Sequence, residues 1–183
     1  MGMAAPLYYT ADMVRALPDD GNRYEVVYGA LLVTPAPRAW HQAVVLNLAA
    51  ALREYLHRHP SAGVVFTSPS DISWGPDVLL QPDVFVVAGE EGRTLDWSRM
   101  RTLPLVAEVL SPSTARNDRF LKRLRYRDAG VELYWVVDPD ERVVEVWTPT
   151  DRFPALERER VVWRPAAAME GFVMELGELF RAV

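Results

Sequence analysis

At 183 residues, 50% of them hydrophobic, the chain is long enough for one well-packed domain and too short for two ordinary ones. It contains no cysteine, which excludes disulfides, thiolate nucleophiles and cysteine-based zinc sites, so any metal must be held by oxygen or imidazole. A net charge of −5 argues against a broad surface that coats nucleic acid, because such affinity comes from many phosphate contacts, but it leaves room for a local basic groove.

No run approaches the roughly eighteen apolar residues that span a bilayer, and the opening stretch lacks the basic, apolar, small-residue order of a signal peptide. A soluble, cytoplasmic protein is expected. In "TADMVRALPDDG" a threonine precedes a short apolar-periodic stretch that Pro-Asp-Asp-Gly stops, which predicts a short helix. "RYEVVYGALLVTP" alternates and turns at Tyr28-Gly29, the pattern of a β-hairpin. From Ala39 to His57, Val44, Val45, Leu48, Leu52, Tyr55 and Leu56 recur at helical spacing until His59-Pro60 ends the run.

Strands are expected around "GVVFTS", "DISWG", "DVFVV" and "LVAEVL". Ser111-Pro112-Ser113-Thr114 then starts a helix that Gly130 stops. "ELYWVVD", "RVVEVWT" and "ERVVWR" read as strands rich in β-branched and aromatic residues, with a turn at Asp138-Pro139-Asp140-Glu141, and a short helix closes the chain. The sum is a single α/β or α+β domain over residues 1–183, with a mixed, twisted central sheet flanked by helices. Trp135, Trp147 and Trp163 on adjoining C-terminal strands exceed what a small core needs, which predicts a subunit contact and a homodimer.

Of the 20 basic residues only Lys122 is a lysine. An ammonium is a compact point charge that can sit beside a water or a phosphate oxygen, whereas guanidinium is a wide fork, so the exception hints at chemistry. Lys122 lies in a cluster with Arg116, Arg119, Arg123, Arg125 and Arg127, for which a solvated helix face balanced by nearby acids is the expected reading. Two carboxylates also stand where carboxylates are expensive: Asp83 heads "PDVFVV", and Glu108 interrupts the buried-looking "LPLVAEVL". Singly, each suits a structural ion pair with an arginine. With Lys122 they form the set a metal-dependent phosphodiesterase uses: carboxylates for Mg²⁺, an ammonium to place the attacking water.

"QPDVFVV", "LPLVAEVLSPST", the Lys122–Tyr126 spacing before "AGV" and "YWVVDP" resemble the motifs of a restriction-endonuclease-like family of the PD-(D/E)XK nuclease superfamily. "YEVVYGALL" and "AWHQAVVLNLAAAL" are similar to that family's first hairpin and first long helix, so the resemblance covers most of residues 8–150, with "EVLSPST" its most specific piece. It implies a restriction-endonuclease-like fold. It also implies Asp83 and Glu108 as metal ligands, the Val109 carbonyl as a third oxygen, Glu25 at the rim of the site, and His41 near the scissile phosphate or a metal-bound water.

Three positions depart from the pattern: Leu110 stands where the superfamily layout has lysine, Tyr28-Gly29 where Asp-Gly is usual, and Leu133 where glutamate is usual. Lys122 must therefore reach in from the following helix. On a helical wheel Phe120, Leu121 and Leu124 share one face and Lys122 points the other way with Arg119 and Tyr126, so that helix is either sandwiched or turns Lys122 to solvent. The implied activity is Mg²⁺-dependent hydrolysis of phosphodiesters, with Mn²⁺ as substitute and DNA rather than RNA as substrate. The alternatives are a nucleic-acid-binding or oligomeric module of the same fold and a hydrolase of a smaller phosphoester. No helix-turn-helix or zinc finger is visible, so specificity would come from loops or a partner.

Overall fold

The protein is described by a computed structural model covering residues 8–182. The stretch before Tyr8, part of the segment read as lacking a signal peptide, lies outside the described residues. Short helix α1 (Ala11–Arg15) is capped by the Thr10 side chain, which accepts from the Met13 N–H. Strands β1 (Arg23–Val27) and β2 (Ala30–Thr34) form the expected hairpin, and Tyr28 and Gly29 take φ of 49° and 78° to make its tight turn. The long helix α2 (Ala39–Arg58) follows, then β3 (Val64–Thr67), β4 (Ile72–Gly75), β5 (Val78–Leu80) and β6 (Val84–Val87). A four-residue helix α3 (Gly89–Gly92) precedes β7 (Leu105–Val109).

The lysine segment is wound as a π-helix over Asn117–Lys122 before continuing as α4 (Arg123–Asp128). Strands β8 (Leu133–Asp138), β9 (Val143–Trp147), β10 (Ala155–Glu157), β11 (Arg160–Trp163) and β12 (Phe172–Glu175) complete the sheets, and α5 (Leu176–Leu179) closes the described chain. No helix among the described residues is long and apolar enough to cross a membrane.

A six-stranded sheet in the order β10-β9-β8-β7-β6-β3 forms the centre, beside a four-stranded sheet β2-β1-β5-β4 and the β11-β12 hairpin. Every pairing in the central sheet is antiparallel except β7 with β8. A parallel pair needs a crossover, and the π-helix and α4 supply it. Alternation along the strands then assigns the faces. Leu105, Ala107 and Val109 pack with Leu48, Leu52 and the β11-β12 hairpin on the α2 side. Val106, Phe85 and Val136 face the other way, against Tyr126 and the four-stranded sheet. Glu108 follows the parity of Val106, so the fold turns it towards α4.

Two expectations change. Trp135, Trp147 and Trp163 are all buried in the chain's own core, so they give no reason to expect a dimer. The basic cluster is balanced by acids as expected at Arg119, which bonds Asp138 and Glu145, and at Arg127, which pairs with Asp128, but it is not simply a solvated face: Arg123 lies 4.3 Å over the Trp147 ring and Arg125 lies near the rings of Tyr28 and Trp74. Because α2 carries much of the core through fully buried Leu48, Leu48→Ala is expected to lower unfolding free energy by about 2–5 kcal/mol, read by urea denaturation.

Candidate active site

The β6–β7 register sets Val84 against Ala107, and continuing it by one residue sets Asp83 opposite Glu108. Side chains opposite each other on antiparallel strands share a face, which is how two motifs 25 residues apart meet. Asp83 is held by three donors: Arg23 at 2.7 Å on Oδ1, and His41 Nε2 at 3.1 Å and the Val109 N–H at 2.9 Å on Oδ2. His41 reaches it from the first turn of α2, and Arg23 from the first residue of β1.

Glu108 has a different environment. Its Oε1 accepts from Tyr126 Oη at 2.7 Å and from Lys122 Nζ at 3.2 Å, while its Oε2 is buried and faces no donor. Lys122 also lies 2.8 Å from Glu25 Oε2 and 3.4 Å from Asp118 Oδ1. The helix is turned polar side inward: it buries Asp118, Lys122 and Tyr126 at successive four-residue steps and leaves Phe120 62% exposed. Lys122 is buried among carboxylates, not set on a wet helix face. Glu25, expected at the rim, is instead fully buried, with Oε1 accepting from the Gln81 N–H and Oε2 beside the lysine.

Five of the expected site residues thus converge: Asp83, Glu108, Lys122, Glu25 and His41. Val109 takes part through its backbone N–H. Sequence reasoning missed Arg23, Asp118 and Tyr126. The signal for the last two was available in the spacing Asp118, Lys122, Tyr126, which puts a carboxylate, an ammonium and a phenol on one side of one helix.

Electrostatics separates the two central carboxylates. Burial alone would raise Asp83, but the His41 hydrogen bond and the Arg23 and Lys122 charges hold it well below the ordinary carboxylate range. For Glu108 burial wins: it raises the carboxyl well above its ordinary value, Lys122 opposes, and the charges of Asp83, Asp118 and Glu25 add to the rise. Asp118 is raised chiefly by burial as well. Lys122 runs the other way, its own burial outweighed by Glu108, Glu25 and Asp118, so it stays an ammonium.

A group whose folded pKa lies above its unfolded value takes up a proton in the native state first, so it adds stability as pH falls towards the unfolded value. Chelator-treated protein is therefore expected to melt at higher temperature as pH is lowered from neutral towards 4.5, the ordinary glutamate value. Glu108→Gln should flatten that slope, leaving the smaller part due to Asp118. An identical slope in wild type and variant would contradict the assignment.

The site fits a divalent cation on two observations. Four buried acidic side chains, Glu25, Asp83, Glu108 and Asp118, face two fixed cations, Arg23 and Lys122, so carboxyl groups outnumber cations by two. The unpartnered Glu108 Oε2 offers an oxygen to it. Among the described residues no three acidic or imidazole side chains already converge as a finished metal cage.

In front of Asp83 and His41 opens a cavity of about 560 Å³, walled by the loops Pro35–Arg38, Thr67–Pro69 and Ser111–Thr114. Glu108 and Lys122 lie behind it.

A mixed sheet with a single parallel crossover, bearing buried acids and one lysine at the meeting point of β6, β7 and α4, defines a restriction-endonuclease-like protein. A family model described as "Putative restriction endonuclease" (Uma2) matches residues 11–176, and the chain belongs to that family. The fold is similar to that in the "Crystal structure of a putative nuclease belonging to DUF820" from Anabaena variabilis. The TM-score is 0.74 at 22% identity, over 93% of this chain and 97% of that one. No curated protein matches the chain.

Proposed function

We propose that the chain is a metal-dependent nuclease that uses Mg²⁺, with Mn²⁺ able to replace it, to hydrolyse phosphodiester bonds of DNA. The observation that carries this reading is an unpartnered, buried Glu108 oxygen among four buried acidic side chains, beside a lysine buried at 1% exposure. The family's description as a restriction endonuclease supports the same direction.

Asp83 and Glu108 would hold the ion, with the Val109 carbonyl available as a third oxygen. The bound ion supplies charge neutralisation at the phosphate and a water of lowered pKa. Arg23, His41 and the Val109 N–H fix the Asp83 carboxylate in its ionised form and orientation, so no reorganisation is needed when phosphate arrives. Tyr126 and Lys122 orient Glu108. Lys122, held by Glu25 and Asp118, has a third N–H that would be free to donate to the attacking water or to a phosphate oxygen if Glu108 served as a metal ligand. In the reaction the water oxygen bonds to phosphorus, one ester P–O bond breaks, and the water's proton goes to solvent or the leaving oxygen.

The test is cleavage of a mixed DNA panel with Mg²⁺ or Mn²⁺ by wild type and Glu108→Gln at matched salt. Metal-dependent cutting lost in the variant is the expected result. No cutting by wild type under any metal would leave a binding module of the same fold, which the net charge of −5 and the engaged arginines would suit.

A further inference from the structure

The geometry points to an unpaired strand, in a single-stranded segment or at a strand end, as the substrate this site takes, in preference to intact duplex; the inference rests on the nuclease reading and deepens it. Three observations carry it. The first is depth. Asp83 and His41 line the cavity yet are buried at 2% and 8% exposure, and Glu108 and Lys122, buried at 1% each, do not line it, so a reacting phosphate must enter between the three loops to reach them. Phosphates of a paired helix stay on its outer surface, and bringing one nucleotide down means unstacking and unpairing it.

The second is size. A cavity of about 560 Å³ falls in the range of sites that enclose small ligands, room for a nucleotide or two and not for a double helix. The third is charge. Duplex-coating proteins spread lysine and arginine over many phosphates, but Arg119, Arg123, Arg125 and Arg127 are tied to acids or aromatic rings. On the cavity wall the fixed cations are Arg38 and Arg23, the latter already 2.7 Å from Asp83, with Asp19 and Asp83 on the same wall, so the charge there is local and small. That arrangement grips a short stretch of backbone, and the pyrrolidine faces of Pro35, Pro37 and Pro112 offer apolar contact to an unstacked base.

Fluorescence anisotropy with a labelled single strand, the same sequence as blunt duplex, and a duplex with a single-stranded overhang tests this in Ca²⁺, which is used here to hold back cleavage. The same three substrates are then cut in Mg²⁺. The single strand and the overhang should bind more tightly, and be cut roughly tenfold to a hundredfold faster, than blunt duplex, the factor that extruding a base adds. Gln42→Trp, an exposed α2 position on the cavity wall, should weaken strand binding without changing the melting temperature. Equal or tighter binding of blunt duplex, no measurable binding of the single strand, or full strand affinity in Gln42→Trp would each overturn the inference. A protein that prefers the single strand yet cuts nothing would overturn the nuclease reading and leave this one standing.

Discussion

Lys122→Ala is expected to cost about 3–5 kcal/mol of stability, because it removes the cation that, among the described residues, alone lies within ion-pair reach of Glu108 and Asp118, and leaves buried charges uncompensated. The loss should be largest near neutral pH and shrink as pH falls, since Glu108 and Asp118, already raised by burial, then protonate and need no partner. Lys122→Arg separates catalysis from charge. It keeps the cation but puts a wider fork into a fully packed site, which costs about 1–3 kcal/mol as overpacking. Its activity should fall on the order of a hundredfold, because a shift of about 1 Å is enough to misplace a positioning group. Thermal melts across pH and cleavage at matched salt measure both. Wild-type stability and cutting in Lys122→Arg would mean that any cation serves there.

Asp83→Ala should be nearly as damaging, for a different reason. The carboxylate accepts from Arg23, His41 and the Val109 N–H, so its removal leaves the backbone donor of β7 and a partly buried guanidinium without their acceptor. A loss of about 3–5 kcal/mol is expected, with metal-dependent cutting reduced by a hundredfold or more. The sign of the pH dependence is opposite to that of Glu108. Asp83 is held below its ordinary value of 3.8, so its stabilisation is present above that value and is lost as pH falls through the lower native one. Wild type should therefore lose stability at the acid end of a melt series, and Asp83→Ala should lack that component. Asp83→Asn keeps an oxygen for the Val109 N–H but gives up the charge, so it should recover part of the stability and none of the metal response.

Much of this site could be read from the sequence because its residues sit where physical rules are strict. A carboxylate inside "LPLVAEVL" or at the head of "PDVFVV" has no cheap explanation, and both proved buried and partnered. The hairpin turn, the long α2 and the strands β3, β4, β6, β7, β8, β9 and β11 followed from alternation and turn residues. Strands β5 and β10 did not, because three residues carry too little periodicity to stand out from a loop, and β12 did not because it runs straight into α5.

The helix carrying Lys122 was the ambiguous case. Amphipathic reasoning assumes that the buried side is apolar, but here the neighbouring surface is acidic, so the polar side with Asp118, Lys122 and Tyr126 turns inward while Phe120 faces water. The wide π-turn at Asn117–Lys122 changes the angular step per residue just where a wheel drawn for an α-helix was applied. Arg23 was invisible for a simpler reason. Nothing in a strand-start arginine reveals that a carboxylate 60 residues later will fold against it.

The account turns on whether the excess of buried carboxyl groups between β6 and β7 is there to receive a metal. A crystal soaked in Mn²⁺ and measured at the manganese absorption edge answers that directly. The expected result is one anomalous peak bridging the Asp83 and Glu108 carboxylates, with the previously unpartnered Glu108 oxygen turned onto it. A Mn²⁺-soaked crystal with no peak there, and with Glu108 still bound only to Lys122 and Tyr126, would contradict it.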